Sequence, residues 1–393
     1  MRALSCPTQS YDWGSTHAIP GFQRQDADGS RVAEVWIGTH PLGTARVVQP
    51  SGDEQPLTEV AGELDFMLKV LAAERPLSIQ VHPDAARAAA GFAAEEDAGI
   101  PLDSPARVFK DPHPKPEMVY ALSTFDTLVG LRRTSEIMRV LQALEHPLAD
   151  QLMSSLTVHS GFNGIIRLIE GLLAEPPAPD TVGEVVTACD KALDAGRDVR
   201  RAFETAVEIA EHCPGDVGVI ISLLLNRLTL QPGEAAYLAT GIIHAHLKGL
   251  CLEVMVSSDN VLRAGLTTKH IDAQGLVQCL EEGTSRAARV EPRVFNYSTD
   301  VFAPCDDFAL SVTQSSPADP AGVVLPASGT RLLVCTGGEV ALVNRRDEVL
   351  RLHRGDVAFA DESDGELRVG GTGEIAQAFV PGTDERGQLF DLL

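Results

Sequence analysis

The chain has 393 residues, 44% of them hydrophobic and 22% charged, with a formal net charge of −23 and a pI near 4.8. This is the composition of a soluble globular protein of two or three domains with ample core. The acidity argues against nucleic acid or an anionic membrane as a partner, and any anionic substrate would depend on a local cluster of Arg and Lys. The seven cysteines are odd in number and form no Cys-x-x-Cys pair. That predicts reduced thiols in a cytosolic compartment rather than a disulfide framework or a thiolate zinc site. No apolar run approaches the roughly 20 residues of a membrane span, and the N-terminus has no signal-peptide core, so a cytoplasmic location is expected.

Residues 1–130 hold short apolar runs broken by Gly, Pro and Asp, such as 34–38, 66–71 and 118–122, which read as strands. The Ala-rich stretch 84–97 predicts one helix. After Arg133 the period changes. Ile137, Val140, Leu141 and Leu144 recur at helical spacing, as do Ile165, Leu168, Ile169 and Leu172, then Phe203, Ala206, Val207 and Ala210. Residues 134–227 are therefore expected to be an inserted helical domain, with 175–180 as a Pro-rich linker and Val217 to Leu225 as a buried helix.

From Leu228 the strand pattern returns. Residues 228–238 read strand, tight turn, strand, and residues 350–360 repeat that pattern in residue type. This weak internal repeat suggests two related antiparallel β units. The expected division is a discontinuous catalytic β domain, 1–133 with 228–291, the helical insertion 134–227, and a second β domain, 292–393, without a metal site.

In a strand, Gln80 and His82 share a face, because side chains alternate. Glu117 enters an apolar strand, where a lone carboxylate costs several kcal/mol unless paired or metal-bound. His244 and His246 also share a face if extended. Gln80, His82, Glu117 and His244 make a nitrogen–oxygen donor set for a divalent ion, suited to zinc and also to iron, manganese or nickel. Further on, 257–260 is a turn by composition, and Arg263 follows it, where an arginine could meet a phosphate or an oxyanion.

Several motifs carry a resemblance: Tyr11-Asp-Trp-Gly14, Ala33-Glu-Val-Trp-Ile-Gly-Thr-His-Pro41, Pro76-Leu-Ser-Ile-Gln-Val-His-Pro-Asp84, Lys115-Pro-Glu-Met118, Leu230-Gln-Pro-Gly-Glu234 and Ser258-Asp-Asn-Val-Leu-Arg-Ala-Gly265. With them the chain resembles a type I mannose-6-phosphate isomerase. The resemblance implies a mainly β fold with an α insertion: two cupin-like jelly-roll domains plus a helical domain. It implies a cytoplasmic, monomeric, zinc-dependent aldose–ketose isomerase that interconverts mannose 6-phosphate and fructose 6-phosphate, with one zinc per chain and a sugar phosphate as partner. The family's zinc ligands fall on Gln80, His82, Glu117 and His244, and its active-site arginine on Arg263. Lys115 and Glu253 fall on positions associated with catalysis, Lys69, Ser78 and Trp13 on positions lining the substrate pocket. Where the family reads His-Ala-Tyr, this chain reads His244-Ala245-His246, which predicts a pocket role for His246. Where the family has His before Lys-Pro-Glu, this chain has Pro114, with His113 one residue earlier. The rival readings are a cupin-type metal oxygenase and a non-catalytic sugar-phosphate binder.

Overall fold

The computed structural model describes residues 1–281, 288–326 and 329–382. The described residues form two sheets of eleven strands each, with a block of helices against the first.

The first sheet is organised around the long strand His244–Val256. Residues 249–256 pair with Phe66–Ala73 on one side, and residues 251–255 with Glu117–Ala121 on the other. Its first half pairs instead with Ile79–Val81 and Phe125–Leu131. The change of partners falls at Gly249, whose φ is +124° and where a Cβ would lie 2.5 Å from the Thr124 carbonyl oxygen. Only glycine turns this corner without strain.

The helices run from Thr134–Leu144 through Pro147–Val158, Gly161–Ala174, Pro179–Asp194 and Ala202–His212 to Val217–Ser222. The apolar sets at helical spacing are buried or partly buried in one core. That core continues into the first sheet through Ile79, Val81, Ile243, Ala245 and Leu247. Each buried aliphatic side chain of this kind contributes about 1.5–3 kcal/mol. The alternation expected of a strand follows: Ile79 and Val81 face the helices, which turns Gln80 and His82 to the opposite face.

The last helix is shorter than the apolar run suggested. It ends at Ser222, and the strand Leu225–Leu230 begins three residues before the sequence pattern turns to alternation. Leu223, Leu224 and Leu225 are all buried, so period alone cannot separate helix end from strand start.

The second sheet has the order Arg293–Asn296, Thr299–Phe302, Ala309–Ser315, Arg368–Phe379, Arg331–Val343, Val357–Ala360, Arg2–Ser5, Arg46–Val48, Glu54–Pro56. Three of these strands come from the first 56 residues: Leu4 pairs with Val357, and Val47 with Leu4. The two sheets pack face to face, with Val35, Leu68, Val70, Leu252 and Val254 meeting Leu310, Leu332, Val334 and Phe359 in one core. Residues 327–328 and 383–393 of the expected second β domain lie outside the described residues. Both copies of the strand–turn–strand repeat turn on a glycine at positive φ, Gly233 at +92° and Gly355 at +89°.

Candidate metal centre

His82, Glu117 and His244 come from three different strands or strand ends and converge in the interior of the first sheet. All three are at most 1% exposed. His82 Nε2 lies 3.4 Å from Glu117 Oε1, and His244 Nε2 lies 3.3 Å from Glu117 Oε2. The proton of each imidazole is fixed by a main-chain carbonyl, which can only accept. His82 Nδ1–H donates to Asn260 at 2.6 Å, and His244 Nδ1–H donates to Ile242 at 2.9 Å. Both Nε2 atoms are thereby turned toward the carboxylate as acceptors. Burial, then the Lys115 ammonium, push the His82 imidazole down to about 4, so it is neutral near pH 7.

Among the described residues His82 Nε2 and Glu117 Oε2 are buried without a hydrogen-bond partner. Orphaned acceptors of this kind cost about 1–3 kcal/mol each unless something positive satisfies them. A divalent cation does so for both atoms at once. Gln80 stands opposite His244 in the ladder, and its amide lies 3.2 Å from His244 Nε2. Turned by 180°, that amide presents an oxygen at the same point. The donor chemistry, two imidazoles, a carboxylate and an amide oxygen, fits zinc.

Burial would raise the Glu117 carboxyl, but Lys115, His82 and His244 more than offset it and hold it well below the usual carboxylate range. Lys115 Nζ sits 2.9 Å from Glu117 Oε1, so this lysine is beside the centre itself.

A second buried polar cluster adjoins the first. Lys69 is directly opposite Glu253 across one strand pair and opposite Trp36 across the other. Its ammonium lies 3.2 Å from Glu253 Oε2, 3.5 Å from Glu34 Oε1 and 5.5 Å from the Trp36 ring centre. Trp36 Nε1–H donates to Glu34 Oε2 at 2.7 Å. Burial works against the charge of Lys69, yet the carboxylates of Glu34 and Glu253 raise it above its ordinary value. Burial also works against the Glu253 carboxylate, and Lys69 and His246 bring it down to about 2.

His246 is buried and spans this cluster. Nδ1 is 3.1 Å from Thr127 Oγ1 and Nε2 is 3.3 Å from Glu253 Oε1. Glu117, His246 and Glu253 form a second group whose ligand atoms lie within 4.8 Å of one another. Here Glu253 is already met by Lys69 at 3.2 Å and by His246 at 3.3 Å, whereas the first group leaves His82 Nε2 and Glu117 Oε2 buried without a hydrogen-bond partner among the described residues. The first group is the one a cation fits.

Arg263 is next to Gln80 across the strand pair Ile79–Val81 with Leu262–Gly265, so Arg263, Gln80 and His244 lie in one row on one face. Partial burial lowers its guanidinium, and among the described residues it has no carboxylate partner in hydrogen-bond or ion-pair range. The exposed Lys269 is close enough that Arg263 and Lys110, after burial, lower it further. Arg263, Lys110 and Lys269 thus lie near one another in a strongly acidic protein.

Trp13 is half-buried, stacks on Tyr11 at 5.5 Å, and packs on the apolar wall that includes Leu71 and Cys251. Ser78 is half-buried, two residues before Gln80. His113 is exposed, its main-chain N–H bonded to Asp111, and it lines a cavity of about 690 Å³ that also takes in His40, Lys110 and Asp259.

Sequence reasoning gave no role to Glu34, His40, Thr127 or Asn260. His40 Nε2 meets Asp259 at 3.2 Å. Glu34 lies in a strand whose four residues are all buried, and nothing in its spacing marks it as the counter-ion of Lys69.

The model of the phosphomannose isomerase type I catalytic domain matches residues 1–134. The mannose-6-phosphate isomerase of Escherichia coli K12 is 33% identical over 96% of this chain and 99% of its own length. The human mannose-6-phosphate isomerase is 29% identical over 92% and 93%. A crystal structure of mannose 6-phosphate isomerase from Salmonella typhimurium, bound to fructose 6-phosphate as substrate and to zinc, superposes with a TM-score of 0.85 at 32% identity, covering 97% of this chain and 99% of that one. With a third of its residues shared with a relative along nearly the whole of both chains, the chain belongs to the type I phosphomannose isomerase family.

Proposed function

We propose that the chain is a zinc-dependent aldose–ketose isomerase that interconverts mannose 6-phosphate and fructose 6-phosphate through an enediol or enediolate. One observation carries the reading. Two buried imidazoles, their Nδ1 protons committed to main-chain carbonyls, aim Nε2 at a buried carboxylate. Gln80, His82, Glu117 and His244 would hold the ion. When bound, zinc supplies a Lewis-acid charge near the oxygens of the open-chain sugar.

The isomerisation moves one proton from C2 to C1 and another from the C2 hydroxyl to the C1 oxygen, while negative charge builds on oxygen. Arg263, in the row of Gln80 and His244 and without a carboxylate partner among the described residues, is the group to hold an anion, either the phosphate or the developing oxyanion. Glu253 is ionised at neutral pH, but a carboxylate held at about 2 is a weak proton acceptor. Its contacts suit it better to holding Lys69 and His246 in place. The Lys115 ammonium, whose Nζ touches Glu117, has protons to give and no lone pair to accept one, so its part in acid–base chemistry is that of the acid toward the sugar oxygens. His246, with Thr127 on one nitrogen and Glu253 on the other, orients the carboxylate wall of the pocket, while Lys69, Ser78 and Trp13 line the substrate side. The two sheets are read as a catalytic and a second cupin-like jelly roll, with the chain acting as a cytoplasmic monomer.

The metal reading is tested by measuring the zinc content of the purified protein and of His82→Ala. About one zinc per chain, lost in the variant together with isomerase activity, is the expected result. Full activity in metal-free His82→Ala would reject it.

A further inference from the structure

The halves of the metal centre come from distant stretches of chain, and Asn260 touches both. Its main-chain carbonyl accepts the His82 Nδ1–H at 2.6 Å. Its side chain is fully buried and makes three short bonds to the segment 110–114. Oδ1 accepts the Lys110 N–H at 2.7 Å, and Nδ2 donates to the carbonyls of Asp111 at 2.7 Å and His113 at 2.8 Å. The Asp111 carboxylate closes the network, accepting from Ser258 Oγ–H at 2.8 Å and from the Asp259 N–H at 2.9 Å. Ser258 Oγ in turn accepts the Asn260 N–H at 3.3 Å.

Residues 110–114 are neither helix nor strand, and they deliver Lys115 and Glu117 to the centre. Their backbone groups still need partners, and the Asn260 amide supplies three of them. A histidine ligand takes its ring orientation from the bond on its other nitrogen. Glu117 opens the strand Glu117–Ala121, which is paired on both sides, and the segment before it sets how Lys115 and the chain enter that strand. One residue sets both.

We propose that Asn260 is a positioning residue that couples the two halves of the zinc site. Its carbonyl aims His82, and its side-chain amide fixes the approach of Lys115 and Glu117. The inference rests on the zinc-site reading above.

Its test is zinc affinity, measured by competition against a chromogenic chelator, in the parent protein, His82→Ala, Asn260→Asp, Ser258→Ala and Asn344→Ala. Asn260→Asp keeps the shape and the Oδ1 acceptor but removes both donors. Ser258→Ala removes one strut and decides the matter if Asn260→Asp does not fold. Asn344 is a buried amide in the turn after the second-sheet strand Arg331–Val343 and donates to Asp364 at 2.9 Å, so its loss reports general destabilisation. Asn260→Asp is expected to weaken zinc binding by about 10-fold, the lower end of what disturbing the groups behind a metal ligand costs, since the carbonyl that holds His82 is kept. Ser258→Ala shifts it in the same direction by less, and Asn344→Ala lowers the melting temperature while zinc affinity holds. Zinc binding by Asn260→Asp as tight as the parent's, with His82→Ala defective, overturns the coupling role. Parent and His82→Ala binding zinc equally poorly overturns the metal reading instead.

Discussion

Lys69 and Glu253 stand directly opposite each other on neighbouring antiparallel strands, and their charges meet at 3.2 Å in a buried site. With Glu34 on the other side of Lys69, the ammonium is the one bridge between two buried carboxylates in this cluster. Lys69→Met leaves both carboxylates without it. Breaking a buried pair by removing one partner costs about 3–5 kcal/mol, and the variant is expected to lose stability on that scale. Urea unfolding of the metal-free protein checks this, and a midpoint unchanged from the parent would show that the triad is not a buried ionic unit.

Arg263 is held on the row of the metal ligands, and among the described residues no carboxylate lies in ion-pair range of it. Arg263→Ala should lower kcat/KM by at least about thirtyfold, since removing a charged contact to a bound anion costs roughly 2 kcal/mol or more. Arg263→Lys should recover part of the loss. Steady-state kinetics with mannose 6-phosphate decide it, and an unchanged kcat/KM in Arg263→Ala rejects the anion role.

The strand that carries Arg263 is fixed by a contact with the helical insertion. Gly265 has φ +144°, and a Cβ there would lie 2.7 Å from the Gly218 Cα. Asp216 Oδ1 accepts both the Gly218 and the Leu266 N–H, at 2.7 and 2.8 Å. Gly265→Ala is expected to cost about 1–3 kcal/mol through backbone strain. It should also lower kcat/KM by moving Arg263. A variant with lowered melting temperature but parental kcat/KM would uncouple the insertion from the site.

Asp126 ties the sheet to the helices. It accepts from Arg227 Nη2 at 2.8 Å and from the Thr229 hydroxyl, with Arg201 at 3.5 Å. Burial would raise its carboxyl, but Arg227 and Thr229 hold it below the ordinary 3.8. A carboxyl lowered in the folded state contributes stability above its unfolded value. That contribution fades as pH falls from near 3.8 through the lower folded value. Asp126→Asn should be less stable than the parent at pH 7, and the gap should narrow below about pH 4. Urea midpoints against pH test this, and a gap constant with pH would contradict it.

The four candidate ligands were legible because their residue types are costly in apolar strands and because alternation put them on shared faces. The helical insertion was legible from its period, and Ile137, Leu141, Ile169 and Phe203 are fully or nearly fully buried. Asn260 was legible only as a turn residue, since its bonds to Lys110 and Asp111 span about 150 positions. The pairing of Leu4 with Val357 left no local trace for the same reason. Strand partners so distant in sequence impose no period on either stretch. Glu34 was hidden among buried apolar neighbours, and only the fold brings Lys69 to it.

The central claim is that the Gln80, His82, Glu117 and His244 cluster binds zinc and that this zinc serves an isomerase. A coupled assay converting mannose 6-phosphate to fructose 6-phosphate, run before chelation, after chelation and after zinc is restored, tests it most directly. The account predicts turnover that is lost with the metal and returns with zinc. Undiminished turnover in protein shown to be metal-free, or none in protein loaded with one zinc per chain, would contradict it.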